Sequence, residues 1–265
     1  MYNEQESIPL LRSDLSQASD ASISIIVAVD DGSTDRTPEL LEEWSLDEPR
    51  LRVVSYHPNR GLPGALLAGF REAVELGAGV GPGDGAIAAP AGEGGGEPSV
   101  VVTMDADGSH PFFLIAAMAR KIADGCDIVI ASRHAPGAAQ FGLAWYRRVF
   151  SWGASLLMRL AYPLRGVRDY STNYRAYRGS LLLEALTRSP GRLIEARDFS
   201  GVVELLLRLC SLGPRIAEVP LELHYERKKS ASKARTLRMI LGYLKLATLR
   251  KTRSATGVCL PLLPT

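Results

Sequence analysis

The sequence predicts an α/β fold with a mostly parallel sheet and helices on both of its faces. Three observations carry this. Short apolar, β-branched runs recur along the 265 residues, most are followed by a stretch of helical period, and two of them stop at paired aspartates. Continuous apolar strands suit a sheet covered on both sides, and alternating strands and helices make right-handed crossovers that leave the strands parallel.

Each element has its own signal. "MYNEQESIPLL" supplies a loop and the start of a helix. Ile23 to Val29 reads as a strand that stops at Asp30 and Asp31. In "RTPELLEEW", Thr37 can cap, Pro38 suits the first helical position, and Leu40, Leu41 and Trp44 share a face. "LRVVSY" (51–56) is a second strand, and "NRGLPGALLAGFREAVELG" runs from loop into helix. "PSVVVTMDADGSHP" repeats the first pattern, with Asp105 and Asp107 at the strand end and the helix "FFLIAAMARKIADG" behind them. "CDIVIASR" (126–133) is a strand closed by Arg133. Beyond it lie helices at 141–162, "SLLLEAL" and "GVVELLLRLCSLG", a strand "RIAEVPLELHY", a basic loop, and a helix over 236–249.

Residues 77–98 are dominated by Gly, Ala and Pro, with no strand leading in and no Lys-Ser/Thr following, so they read as a flexible insertion rather than a phosphate loop. The expected organisation is one domain over 1–235 carrying that insertion, followed by a C-terminal amphipathic helix and tail over 236–265. Hydrophobic residues at 46% and charged residues at 23% exclude a disordered chain. A net charge of +2 excludes a nucleic-acid-binding protein, so any basic function must be local. Three widely spaced cysteines fit neither a zinc site nor a disulfide framework and favour a reducing, cytoplasmic setting.

In open α/β sheets, ligands bind beyond the carboxyl ends of the strands, where both aspartate pairs fall. Asp105 and Asp107 are spaced i, i+2 and can converge on one object. Two carboxylates side by side repel unless a cation compensates them, and their hard oxygens suit Mg²⁺ or Mn²⁺. The alternative is that they only cap the following helix. His110 can contact phosphate beside them, whereas His224 reads as a strand-surface residue.

Together and in order, "YNEQESIPLL", "VDDGSTDRT", "NRGLPGALLAGF", "MDADGSHP", "IASR", "DYSTNYRAYR" and "EVPLELHYERKKSASK" resemble the family 2 glycosyltransferases of GT-A fold, above all the polyprenyl-phosphate (dolichol-phosphate) sugar transferases. The resemblance implies a Rossmann-like sheet and a nucleotide pocket lined by Tyr2, Glu4, Asp30, Asp31 and Gly61. It also implies a metal site at Asp105 and Asp107 for the diphosphate of a GDP- or UDP-linked sugar. The phosphate acceptor would be met by Arg133, Arg147, Arg227, Ser232 and Lys233. Asp169 would orient the sugar or acceptor, act as a base toward a hydroxyl acceptor, or simply cap a turn.

The expected activity is inverting sugar transfer to a polyprenyl phosphate by a protein peripherally attached to the cytoplasmic face of a membrane. The alternatives are transfer to a soluble or cell-envelope hydroxyl, and nucleotide-sugar binding without turnover. The helix over 236–249 either packs on the core or lies in the lipid interface. The family places a strand before "YNE" inside its sheet. Nothing before Tyr2 can fill that place, so a further 5–10 or so residues ending in an apolar strand are expected upstream.

Overall fold

The computed structural model describes residues 1–17, 23–77, 99–142, 145–227, 241–248 and 259–260, with the side chain of Arg147 outside that set. Helix α1 (Ile8–Gln17) precedes β1 (Ile26–Asp30), α2 (Thr37–Asp47), β2 (Leu51–Ser55) and α3 (Gly61–Gly77). Then come β3 (Val100–Thr103), α4 (Leu114–Ala123), β4 (Ile128–Ser132), β5 (Ala139–Phe141) and α5 (Trp145–Ala161). The chain continues through β6 (Arg175–Arg178), α6 (Gly179–Arg188), α7 (Gly201–Leu209), β7 (Ile216–Pro220) and β8 (Glu222–His224). A final helix, α8, covers 241–248.

The main sheet has the order β3-β6-β4-β7, with β4 parallel to β7 and β6 antiparallel to both its neighbours. β4 and β6 are its interior strands, and every residue of β4 is buried. Alternation divides that strand between two cores, as a sheet covered on both faces requires. Ile128 and Ile130 join residues of α3, α6 and α7, while Val129 and Ala131 join Leu114, Met118 and Ile122 of α4. β1 and β2 form a separate parallel pair, packed with α1 and α2 around Leu41 and Trp44. α3 lies against both β1 and β3 and so belongs to both parts.

Among the described residues, no ladder joins β1–β2 to the four-stranded sheet. On the edge of β1 away from β2, the Met1 nitrogen donates to the Val29 carbonyl and Asp31 N donates to the Met1 carbonyl at 2.7 Å. That is a single parallel bridge, opposite Asp30.

Two strands differ from the sequence expectation. "RAYR" at 175–178 is the interior strand β6, hidden from a reading of apolar runs by its two arginines. Arg175 is wholly buried and donates to the carbonyls of Val202 (2.9 Å) and Tyr170 (2.7 Å), while Arg178 pairs with Asp127 at 2.8 Å. The single strand expected in "RIAEVPLELHY" is two, because the chain leaves β7 at Pro220 and pairs in parallel with β5 through β8. The insertion lies almost wholly outside the described residues. Of the C-terminal helix, α8 buries Tyr243 and Leu246 in the main core.

Candidate active site

The ends of β1, β3 and β4 meet in one crevice. The charges of Asp31, Asp30, Glu4 and Asp105 all reach the Met1 nitrogen, and that of Asp105 also reaches Arg133.

At the end of β1 the chain turns sharply through Gly32. Its φ of 70° is a left-handed conformation, and a Cβ there would stand 3.0 Å from Asn59 N. Asp30 Oδ1 accepts from Ser33 N at 3.1 Å, and Asp31 Oδ1 accepts from Arg60 N at 2.7 Å. Asn59 Nδ2 donates to the Asp31 carbonyl at 2.8 Å, which latches this turn to the segment entering α3. Gly61 opens α3 at φ 76°, with its N–H on Asn59 Oδ1 at 3.1 Å.

The segment carrying Tyr2 and Glu4 crosses the same turn. Asn3 N donates to Ser33 Oγ at 2.9 Å, Thr34 N donates to Asn3 Oδ1 at 2.8 Å, and Glu4 N donates to Thr37 Oγ1 at 2.8 Å. The carboxylate of Glu4 is buried and accepts from Ser7 Oγ at 2.8 Å.

Past β3, the two aspartates have different duties. Asp107 Oδ1 accepts from both Ser109 N (3.1 Å) and Ser109 Oγ (2.6 Å), bracing a turn that passes through Gly108 at φ 74°. Asp105 Oδ1 accepts from Asn173 Nδ2 at 3.1 Å, and its backbone N–H is directed at His110 Nδ1, also at 3.1 Å. His110 is buried and stacks on Tyr174 at 4.8 Å between centroids. His224 stacks on Phe141 and pairs with Glu226, as a strand-surface residue would.

Arg133 meets Asp169 as a two-pronged ion pair, Nε to Oδ2 and Nη2 to Oδ1, both at 2.8 Å. Nη2 also donates to Ser171 Oγ at 2.7 Å, and Ser171 N and Thr172 N donate to Asp169 Oδ1. Burial pushes the Asp169 carboxyl upward, but the charge and hydrogen bonds of Arg133 more than offset it and hold it well below the usual carboxylate range. The same pairing, working against burial, raises Arg133. A carboxylate so saturated is a poor proton acceptor, so the geometry favours the orienting role for Asp169 over that of a base.

Arg227 does not reach this crevice as a bare cation: it donates to Asp14 of α1 at 2.7 and 2.8 Å. Arg147 lies within α5, its side chain outside the described residues, as are Ser232 and Lys233 altogether.

Comparison with known proteins places this geometry. The family model for Glycosyl transferase family 2 matches residues 1–75. The undecaprenyl-phosphate mannosyltransferase of Micrococcus luteus is 32% identical over 232 residues, which span 88% of this chain and 84% of that protein. The chain is a family 2 glycosyltransferase. The glycosyltransferase is also 31% identical to the polyprenol monophosphomannose synthase of Mycolicibacterium smegmatis over 233 residues, 88% of this chain and 77% of that one. In fold it is similar to glucosyl-3-phosphoglycerate synthase from Mycobacterium tuberculosis. The complex of that enzyme with phosphoglyceric acid aligns at a TM-score of 0.60 and 17% identity, covering 94% of this chain and 78% of that one. Its complex with Mn²⁺ and UDP-glucose aligns at 0.59 and 18%, covering 97% and 78%. The GT-A architecture expected from the motifs stands.

The donor set of the glycosyltransferase fits a divalent cation. Asp105 and Asp107 bring hard carboxylate oxygens to one loop, the donor type that a divalent cation sharing phosphate oxygens and water would take.

Sequence reading missed the residues that hold the named ones in place: Asn173 on Asp105, Ser171 on Arg133, and Asn3 with Ser33 across the first turn. Their partners lie 30 or more positions away, so no local pattern marks them. It also missed Tyr243. That side chain is buried, its hydroxyl has no hydrogen-bond partner among the described residues, and its phenol is pushed up to about 12 by burial, with Arg133 lowering and Asp169 raising it. α8 thus brings a phenol beside the Arg133–Asp169 pair.

Proposed function

We propose that this glycosyltransferase moves a sugar from a nucleoside diphosphate to the phosphate of a polyprenyl lipid, with inversion at the anomeric carbon. The anomeric C–O bond to the diphosphate breaks and its electron pair leaves with the nucleotide. An oxygen of the lipid phosphate forms the new bond from the opposite face. That oxygen is already anionic, so the step needs no proton acceptor.

The observation that carries this reading is the state of Asp169. Transfer to a hydroxyl needs a base, and the carboxylate suggested for that task is buried, ion-paired and held ionised at low pH. It acts instead as a positioning residue: it turns the face of Arg133 toward an anion. The names of the two relatives, acting on undecaprenyl phosphate and forming polyprenol monophosphomannose, support the acceptor class. A divalent cation, when held by Asp105 and Asp107, supplies neutralising charge to the departing diphosphate. Tyr2 and Glu4 before α1, Asp30 and Asp31 at the end of β1, and Gly61 at the start of α3 bind the nucleotide. Arg147, Arg227, Ser232 and Lys233 are assigned to the acceptor side. We assign peripheral attachment to the cytoplasmic face as the way the lipid is reached, a reading supported by the lipid-phosphate acceptors in the names of the relatives.

The test is incubation of the protein with radiolabelled GDP- and UDP-linked sugars and polyprenyl phosphate. Label partitioning into organic solvent is the expected result. The solved neighbour bound to phosphoglyceric acid motivates a control arm with small phosphorylated acceptors. Label confined to a water-soluble product in that arm would overturn the lipid acceptor.

A further inference from the structure

Helix α5 carries a face of exposed apolar side chains. Trp145 is 75% exposed, Trp152 60% and Leu160 71%, and Val149 and Leu156 lie between them. These five are spaced by four, three, four and four residues, which puts them in one stripe along the helix. Tyr146 and Phe150 widen the stripe near its start and are about half exposed. The opposite side, Ser155, Met158 and Tyr162, is buried, and Tyr162 donates its hydroxyl to the Leu246 carbonyl of α8 at 2.7 Å. A soluble surface rarely exposes so many large apolar side chains on one element.

What covers the face can be read from its chemistry. The sequence of α5, "WYRRVFSWGASLLMRLA", contains three arginines and no carboxylate. A second copy packed face to face would oppose arginine to arginine, because a two-fold interface sets the same surface against itself. An anionic lipid surface matches both features, since Trp and Tyr rings settle at the headgroup level and arginines meet phosphate there.

The position of the helix agrees. Arg148 donates to the Gln140 carbonyl of β5 at 2.6 Å, β5 pairs with β8, and His224 N of β8 donates to the carbonyl of Ser109 in the Asp105–Asp107 loop. At its other end, Leu156 and Leu160 form one wall of a cleft of about 630 Å³ that also takes in Arg159 and Arg168. The apolar stripe therefore starts two short strands from the crevice and continues into a cleft lined by Arg159, Arg168 and Glu218.

We propose that α5 docks the enzyme on an anionic bilayer, its aromatic stripe in the boundary between headgroups and acyl chains, and so holds the crevice at the level of lipid phosphates. This deepens, and in its last clause rests on, the lipid-phosphate acceptor proposed above. It adds α5 to the C-terminal helix as a membrane contact, since α8 buries Tyr243 and Leu246 in the core but leaves Leu241 and Leu244 exposed.

The experiment uses the full chain and vesicles that contain no polyprenyl phosphate, so docking is read apart from transfer. Of the three tryptophans, Trp44 is buried and the other two stand on the stripe, so intrinsic emission reports on α5. With phosphatidylcholine vesicles containing phosphatidylglycerol, the emission should shift to the blue and brominated acyl chains should quench it. Flotation should fall by at least about tenfold in a Trp145→Glu/Trp152→Glu/Leu160→Glu variant whose melt is unchanged. Absence of quenching in the wild type overturns the proposal, and that arm stands alone if the variant fails to fold. Flotation unchanged in the variant, or indifferent to phosphatidylglycerol, overturns it too. So does a dimer in free solution that the same substitutions dissolve without any vesicle binding.

Discussion

Arg133 and Asp169 lie edge to edge as two flat groups, joined by two hydrogen bonds of 2.8 Å, with the Asp169 side chain wholly buried and that of Arg133 17% exposed. Removing one partner of a buried pair strands the other charge, at a cost of roughly 3–5 kcal/mol. Asp169→Asn is therefore expected to lower the melting temperature markedly as well as slow transfer. Because the carboxyl is depressed in the folded state, its stabilisation is present above its unfolded value of about 4 and is lost as pH falls through the lower folded value. Acid unfolding of the wild type should carry that dependence, and the variant should lose it. A variant that melts like the wild type while turnover is abolished would mark Asp169 as a base after all.

The two aspartates of the loop should separate experimentally. Asp107 braces its turn through Ser109, so Asp107→Ala should cost about 1 kcal/mol of stability along with activity. Among the described residues, the Asp105 side chain accepts one hydrogen bond, from Asn173, so Asp105→Ala should abolish transfer with little change in the melt. Transfer assays with and without a chelator, run beside thermal melts, check both. Wild-type rates in either variant would remove the metal assignment.

Gly32→Ala places a methyl group in a left-handed turn and 3.0 Å from a backbone nitrogen. The conformation alone costs roughly 1–2 kcal/mol. Displacement of Asn59 should also loosen the latch on Asp31 and weaken nucleotide binding. Calorimetric titration with GDP or UDP measures the effect, and unchanged affinity would separate this turn from the nucleotide pocket.

The Arg227–Asp14 pair is partly exposed, with side-chain accessibilities of 34% and 17%, so a double-mutant cycle should return a coupling of only about 0.2–1 kcal/mol. Arg227→Ala should then slow transfer more than it lowers the melt. Asp14→Asn, which releases the guanidinium, should lower KM for the acceptor. If Arg227→Ala leaves the rate per folded molecule intact, the residue serves only to tie α1 down.

Most helices and the apolar strands were legible because burial on both faces writes itself as uninterrupted Val and Ile, as in Ile128–Ile130. β6 was not, since Arg175 places its buried guanidinium against the carbonyls of Val202 and Tyr170 and so hides a core strand behind a surface residue type. The break at Pro220 was invisible because apolar residues continue on both sides of it while the chain changes sheets. In the crevice, the aspartates and Arg133 were marked by their place at strand ends. The choice between roles for Asp169 was not, because it depends on Arg133 arriving from 36 positions away. α5 shows the same limit. Its helical period was clear, but which face the core would leave uncovered depends on how α8 packs behind it.

β1 and β2 form a ladder of their own, and this bears on which amides open first. Unzipping that pair breaks no hydrogen bond of the β3-β6-β4-β7 sheet. The β1–β2 part and the main sheet are joined instead by α3, which packs on both, and by side chains such as Arg227 on Asp14 and Leu10 against Gly108. Local opening is cheapest where backbone pairing is sparse, so the amides of Ile26, Ala28 and Asp30, which face β2, should exchange with deuterium well before those of Val129 and Ala131. A donor nucleotide that spans both halves would slow the faster set toward the slower one, which turns exchange at β1 into a readout of substrate engagement that needs no turnover.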